Sequence, residues 1–257
     1  MANSQRDSGY PRPLSVREKE WLDWILPQYR IGYKPYYDLV QGMSVIGEGR
    51  RGKGEIILGI PPSKPDFDDP LTPVFAYGTI ETDKGKISIT LREVTENQIS
   101  VEIVSHASEV VPEEFMEIRR WTYSTWNPGE ACPQCSHEVR AVPMHTVAQH
   151  EHFVLAICFH GKRLWVHDST TRVNRLIPVT NFYNELMLHK NIRDPKVAID
   201  ANLLFNRNSE YSDADLVYAF LTYNKIKTKV RIEGTIQPDK PEKRSFAQRI
   251  RKVIVRK

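Results

Sequence analysis

The stretch Lys86-Ile-Ser-Ile-Thr-Leu-Arg-Glu93, the turn Thr95-Glu-Asn97 and the stretch Gln98-Ile-Ser-Val-Glu-Ile-Val-Ser105 decide the fold class. Ile87, Ile89 and Leu91 alternate with Ser88, Thr90 and Arg92, and Ile99, Val101 and Ile103 alternate with Ser100, Glu102 and Val104. A period of two sends the first set of each segment to one face, and a turn this short joins only antiparallel neighbours. Val74–Thr82 precedes them across Asp83-Lys-Gly85, so three strands form an antiparallel meander with one buried face.

Outward from the meander, the pattern is strands and helices in blocks. Upstream, Met43-Ser-Val-Ile46 and Glu55-Ile-Ile-Leu58 flank the run Gly47-Glu-Gly-Arg-Arg-Gly-Lys-Gly54 as strand, turn and strand. Ser15 and Glu18 have capping-box spacing before Trp21, Trp24 and Ile25, Pro27 ends that helix, and a second short helix is expected over Pro35–Gln41. The tract from Pro61 to Pro73 holds five Pro and three Asp and reads as a loop. Downstream, Pro112-Glu-Glu114 with Arg119 and Arg120 has the charge order of a helix dipole and predicts a helix. His152–Phe159 and Arg163–Asp168 flank His160-Gly-Lys162 as a second hairpin. Helices are expected around Asn181–Lys190 and from the cap Ser212, with Asp215 three residues on, to about Lys225; a strand is expected over Lys229–Ile236. The fold class is α+β: an antiparallel meander and hairpins packed with short helices. Residues 1–14 read as a mobile leader, 15–238 as the α+β body with a subdivision near 106–130, and 239–257 as a basic amphipathic tail.

Composition sets the class of environment. The chain has 257 residues, 40% hydrophobic and 26% charged, enough to bury a core of its own. The polar N-terminus lacks the apolar run of a secretory signal, and the longest apolar run, Phe153 to Phe159, is far too short to span a bilayer. The expectation is a cytoplasmic protein without a transmembrane segment. In that reducing compartment the three cysteines, Cys132, Cys135 and Cys158, point to metal or thiol chemistry rather than a structural disulfide.

Charge is unevenly spread. Of 36 Lys and Arg and 32 Asp and Glu, residues 225–257 hold 12 and three, so that end is +9 and the remainder −5. Within it, Phe246, Ile250, Val253 and Ile254 recur at helical spacing among Arg249, Arg251, Lys252, Arg256 and Lys257. A basic amphipathic helix of this kind suits a protein groove or an anionic surface, either nucleic acid or membrane, and Arg249, Arg251, Lys252, Arg256, Phe246 and Ile250 are its candidate partner-binding residues.

Two motifs carry chemistry. Cys132-Pro-Gln-Cys135 can place two thiolates on one Zn²⁺ from a single tight turn, and His145 and His150 further on could complete a tetrahedron. The resulting C-x2-C-x9-H-x4-H resembles a shortened zinc-finger ligand pattern and makes Cys132, Cys135, His145 and His150 the candidate zinc ligands. The hairpin His152-Phe-Val-Leu, turn, Arg163-Leu-Trp-Val-His-Asp168 resembles the His-strand, Asp-strand half of papain-like or transglutaminase-like thiol enzymes. That resemblance implies Cys135 as nucleophile, His152 as base and Asp168 as the orienting acceptor; Cys158, inside the expected strand, reads as a small core residue. The Gly47–Gly54 run has the spacing G-x-G-x-x-G, but a strand rather than a helix follows it, which argues for a hairpin tip and against a phosphate cradle. The leading reading is a binding or adaptor protein with a structural zinc site and a partner-binding tail; the alternative is a thiol-dependent hydrolase or transferase.

Overall fold

In the computed structural model, strand β4 (Gly85–Thr95) pairs on one side with β5 (Gln98–Ser105) and on the other with β3 (Val74–Thr82), all antiparallel. The structure describes residues 9–222 except 51, 67–73, 96, 146, 148–149, 180–181, 183–204 and 206–210. The strand expected over Lys229–Ile236, nearly all of the helix expected over Asn181–Lys190, and the whole basic tail lie outside the described residues.

The described chain divides into two units. Unit 1 holds the residues up to Thr125 together with Thr171–Val173; unit 2 holds Trp126–Thr170 and the residues from Asn174 on. In unit 1, helices α1 (Val16–Ile25) and α2 (Lys34–Gln41) precede β1 (Ser44–Gly49) and β2 (Gly52–Gly59), and the strands run in the order β1-β2-β5-β4-β3. Strand β6 (Glu117–Thr122) pairs with β3, and a 3-10 turn, Tyr123–Thr125, follows it.

The alternation read in the sequence selects the core. Ile87, Ile89, Leu91, Ile99 and Val101 are buried with Trp21, Leu22 and Ile25 of α1 and Tyr36 and Val40 of α2. Each such aliphatic side chain contributes roughly 1.5–3 kcal/mol relative to an exposed one. The opposite face is polar and internally bonded: Ser100 Oγ donates to Glu55 Oε1 at 2.5 Å, and Ser88 Oγ lies 2.7 Å from His106 Nε2. The capping box forms as its spacing implies, with the Glu18 amide donating to Ser15 Oγ and the Ser15 amide to Glu18 Oε2. The turn between β3 and β4 needs Gly85, whose φ of +118° is costly for any residue with a Cβ. Within the stretch assigned to the leader, Tyr10 and Leu14 pack on this core and Arg12 exchanges backbone hydrogen bonds with Val45.

The helix expected after Pro112 is instead the strand β6. Its charges complement neighbours across the sheet rather than a helix dipole: Arg119 Nε donates to Glu81 Oε2 at 2.8 Å, and the Arg119 guanidinium lies 4.6 Å from the Trp121 ring centroid. Cross-strand pairing with β3 thus outweighs the local charge order.

Unit 2 is a smaller meander in the order β7 (Arg140–Pro143), β8 (Phe153–Cys158), β9 (Arg163–Asp168), β10 (Asn174–Leu176), antiparallel throughout. A third helix, α3, covers 213–222 and starts from the cap Ser212, whose hydroxyl accepts from the Asp215 amide while the Asp215 carboxylate accepts from the Ser212 amide. Leu216, Ala219 and Phe220 of α3 are buried with Leu155 and Ile157 of β8 and Leu164 and Val166 of β9. Elsewhere in unit 2, Trp126 meets Trp165 edge-on, and buried His167 donates from Nδ1 to Asn174 Oδ1 at 2.8 Å. No helix among the described residues is long and apolar enough to cross a membrane.

Candidate metal centre

Two turns of unit 2 build the site, and they share one plan. In the first, Cys132 to His137, the Cys132 amide donates to the His137 carbonyl and the Ser136 amide to the Cys132 carbonyl, both at 2.8 Å. In the second, the tip of the β8–β9 hairpin, Cys158 pairs with Arg163. Each turn opens on a cysteine and closes five residues later. The fourth residue on is left-handed in both, Ser136 at φ 59° and Lys162 at φ 51°. The third residue on sends its amide to the opening sulfur: Cys135 to Cys132 Sγ in the first turn, Gly161 to Cys158 Sγ at 3.1 Å in the second.

These turns bring five side chains together. The Sγ atoms of Cys132, Cys135 and Cys158 all lie within 4.8 Å of one another, and so do the ligand atoms of Cys135, His137 and His160. Cys135 belongs to both groups, and its sulfur is 3.4 Å from that of Cys158. His137 stacks on His160 with ring centroids 3.6 Å apart and planes 7° apart. His137 Nδ1 donates to the Cys135 carbonyl at 2.8 Å, an outer-shell bond that leaves Nε2 with its lone pair. Gly161 is small for a reason: a Cβ there would lie 3.2 Å from Cys158 Sγ and 3.5 Å from Cys135 Sγ.

The electrostatics favour negative sulfur at the inner end. A hydrogen bond from the Cys158 thiol, against the cost of burial and with the amides of Cys135 and Gln134 adding to it, lowers the Cys132 thiol pKa to about 5. The same shared proton and burial push Cys158 up. Cys132 and Cys158 are buried and Cys135 is partly exposed. Three soft sulfur donors with imidazoles beside them, held by preset amide–sulfur bonds, can coordinate a tetrahedral ion or support thiol chemistry.

The residues named from the sequence fall in different places. Cys132 and Cys135 come together as the spacing implies. Their companions are Cys158, His137 and His160; exposed His145 and half-buried His150 stand in neither group. His150 packs its ring near Phe153 and Phe220, and burial, then the neighbouring His152, lower its pKa. Cys158, read as a small core residue, presents its sulfur to the cluster.

The three thiol-enzyme candidates are not assembled. Phe153 pairs with Asp168 and the Ser169 amide donates to the His152 carbonyl, so His152 and Asp168 sit at the open end of the β8–β9 hairpin. Cys135 contacts Cys158 at the closed end, five residue steps of strand or about 17 Å along. Asp168 Oδ1 accepts from the Thr170 amide at 2.9 Å, and the His152 ring lies tilted by 55° against Phe153 with ring centroids 4.0 Å apart. The tail candidates, Arg249, Arg251, Lys252, Arg256, Phe246 and Ile250, lie outside the described residues.

Sequence reasoning missed Cys158 and His160 because they follow the first pair by a whole hairpin. The signal was present: Cys158-Phe-His160-Gly161 at a hairpin tip places a cysteine, a second donor two residues on and a glycine three residues on. No protein-family model, no curated protein and no solved structure matches the chain.

Proposed function

We propose that unit 2 carries a structural zinc centre and that the chain acts as a binding or adaptor protein, with its basic 239–257 segment as the arm that meets a partner. The observation that carries the zinc reading is the convergence of two like-built turns on three sulfurs. Cys132 and Cys135 enter from one turn and Cys158 from the other, and through Cys135 this trio adjoins the group that also holds His137 and His160. His137 stacks over His160 and stiffens it.

The ion would join the hairpin tip to the loop ahead of β7. Its binding free energy would be folding free energy for that part of unit 2. Free thiols held for a metal fit a reducing, cytoplasmic compartment. The arm reading rests on the charge reversal at 225–257 and the apolar stripe of Phe246, Ile250, Val253 and Ile254; a protein groove, nucleic acid or an anionic membrane would each answer to that chemistry.

Elemental analysis of the full chain expressed with zinc supplied tests the first part. About one zinc per chain is expected, lost in Cys132→Ser and Cys158→Ser but kept in His145→Ala and His150→Ala. A metal-free protein overturns it. For the arm, deletion of 240–257 should abolish binding to acidic vesicles or nucleic acid, and binding by the full chain should weaken steeply with salt.

A further inference from the structure

We infer that Cys135 and Cys158 form an oxidant-driven pair, with Cys135 the thiol that meets a hydroperoxide and Cys158 the thiol that resolves it into an intramolecular disulfide. Two observations carry this. The two sulfurs are 3.4 Å apart, already in contact, so closing them to a bond of roughly 2.05 Å needs a side-chain shift and no refolding. The burial is also asymmetric: Cys132 and Cys158 are 2% and 0% exposed, while Cys135 is the partly exposed one of the three cysteines.

The chemistry balances with a hydroperoxide as the two-electron oxidant. The Cys135 sulfur attacks the terminal peroxide oxygen, the O–O bond breaks, and the leaving oxygen departs as water or alcohol after taking a proton. Cys135 is then a sulfenic acid. The Cys158 sulfur attacks the Cys135 sulfur, the S–O bond breaks, and hydroxide leaves with the Cys158 proton as a second water. Two thiols are oxidised and one peroxide is reduced. Gly161 leaves Cys158 room to move, since a Cβ there would crowd its sulfur at 3.2 Å.

The consequence for the ion rests on the zinc reading above: a disulfide withdraws two of the three sulfur donors, so oxidation would release the metal and free the hairpin tip from the Cys132 turn. The bond itself rests on the thiol geometry alone. Cys132 stays reduced, since the contact of 3.4 Å is between the sulfurs of Cys135 and Cys158.

The full chain is assayed for bound zinc, treated with hydrogen peroxide in the presence of a chromogenic zinc chelator, alkylated, and mapped by mass spectrometry of non-reduced peptides. The expected result is a Cys135–Cys158 cross-linked peptide that appears together with the released zinc and reverts with a dithiol reductant. Cys132→Ser should retain the cross-link; in Cys158→Ser the cross-link is lost and Cys135 advances to sulfinic acid. Because cysteine variants could unfold, far-UV circular dichroism accompanies each, and the wild-type peptide map stands alone as the deciding measurement. A dominant Cys132–Cys135 cross-link, or bound zinc with all three thiols unchanged under peroxide, overturns the inference and leaves the zinc reading intact. A protein that holds no zinc yet forms the Cys135–Cys158 bond overturns the zinc reading and sustains this one.

Discussion

The amide of Gly161 donates to Cys158 Sγ at 3.1 Å, and a Cβ on the same glycine would lie 3.2 Å from that sulfur. One residue thus supplies an outer-shell bond and a clearance. Gly161→Ala keeps the amide but sets a methyl tightly against Cys158 Sγ, and we expect it to weaken zinc binding by roughly tenfold or more. Competition with a chromogenic chelator measures this; unchanged affinity would show that the clearance has no role.

Removal of the ion should act locally. With a strong chelator, backbone amides of 132–137 and 158–163 are expected to lose hydrogen-exchange protection, whereas those of β4 and β5 in unit 1 keep theirs. Uniform loss across both units would contradict a centre that serves unit 2 alone.

The separation of Cys135 from His152 has a direct readout. His152→Ala should leave the alkylation rate of Cys135 unchanged, because the imidazole is about 17 Å away along the hairpin. A pronounced slowing in that variant would revive the thiol-enzyme reading.

In unit 1 the ion pair of Arg12 and Glu18, 2.7 Å apart, makes stability depend on acid. Burial alone would raise the Glu18 pKa, but hydrogen bonds from the Arg12 guanidinium and the Ser15 amide outweigh it and hold the carboxyl below its ordinary value. A carboxyl with a depressed folded value adds stability above its unfolded pKa of about 4.3 and loses it as pH falls through the lower folded one. Thermal melts of the wild type and Arg12→Ala between about pH 6 and pH 3 should therefore converge as the pH drops. A gap that stays constant with pH would mean that ionisation of Glu18 contributes nothing to it.

Local signals were the legible ones. Ile87, Ile89 and Leu91 fixed a buried face through period alone, and Ser15 with Glu18 and Ser212 with Asp215 announced their caps because a cap is a contact over three residues. Arg119 and Arg120 misled because Glu81, the partner of Arg119, and Glu20 and Trp24, partners of Arg120, are brought near only by the fold. The metal centre was half readable for the same reason. Cys132 and Cys135 share a turn, but Cys158 meets Cys135 through a tertiary contact across 23 positions. His145 and His150 had the better spacing on paper, whereas His160 has the matching turn.

The short return of the chain, Thr171–Val173, limits how this protein can be dissected. Val173 is buried in the unit 1 core, and the Thr171 carbonyl accepts from the Gly32 amide at 2.8 Å, although the residues on either side of this tripeptide belong to unit 2. A fragment that stops at Thr125 would therefore lack a core side chain and leave the Gly32 amide without its acceptor. Neither half is a self-contained module in sequence: the polypeptide is interleaved, and a gene cut at the boundary near 125 yields an incomplete piece rather than a free-standing domain.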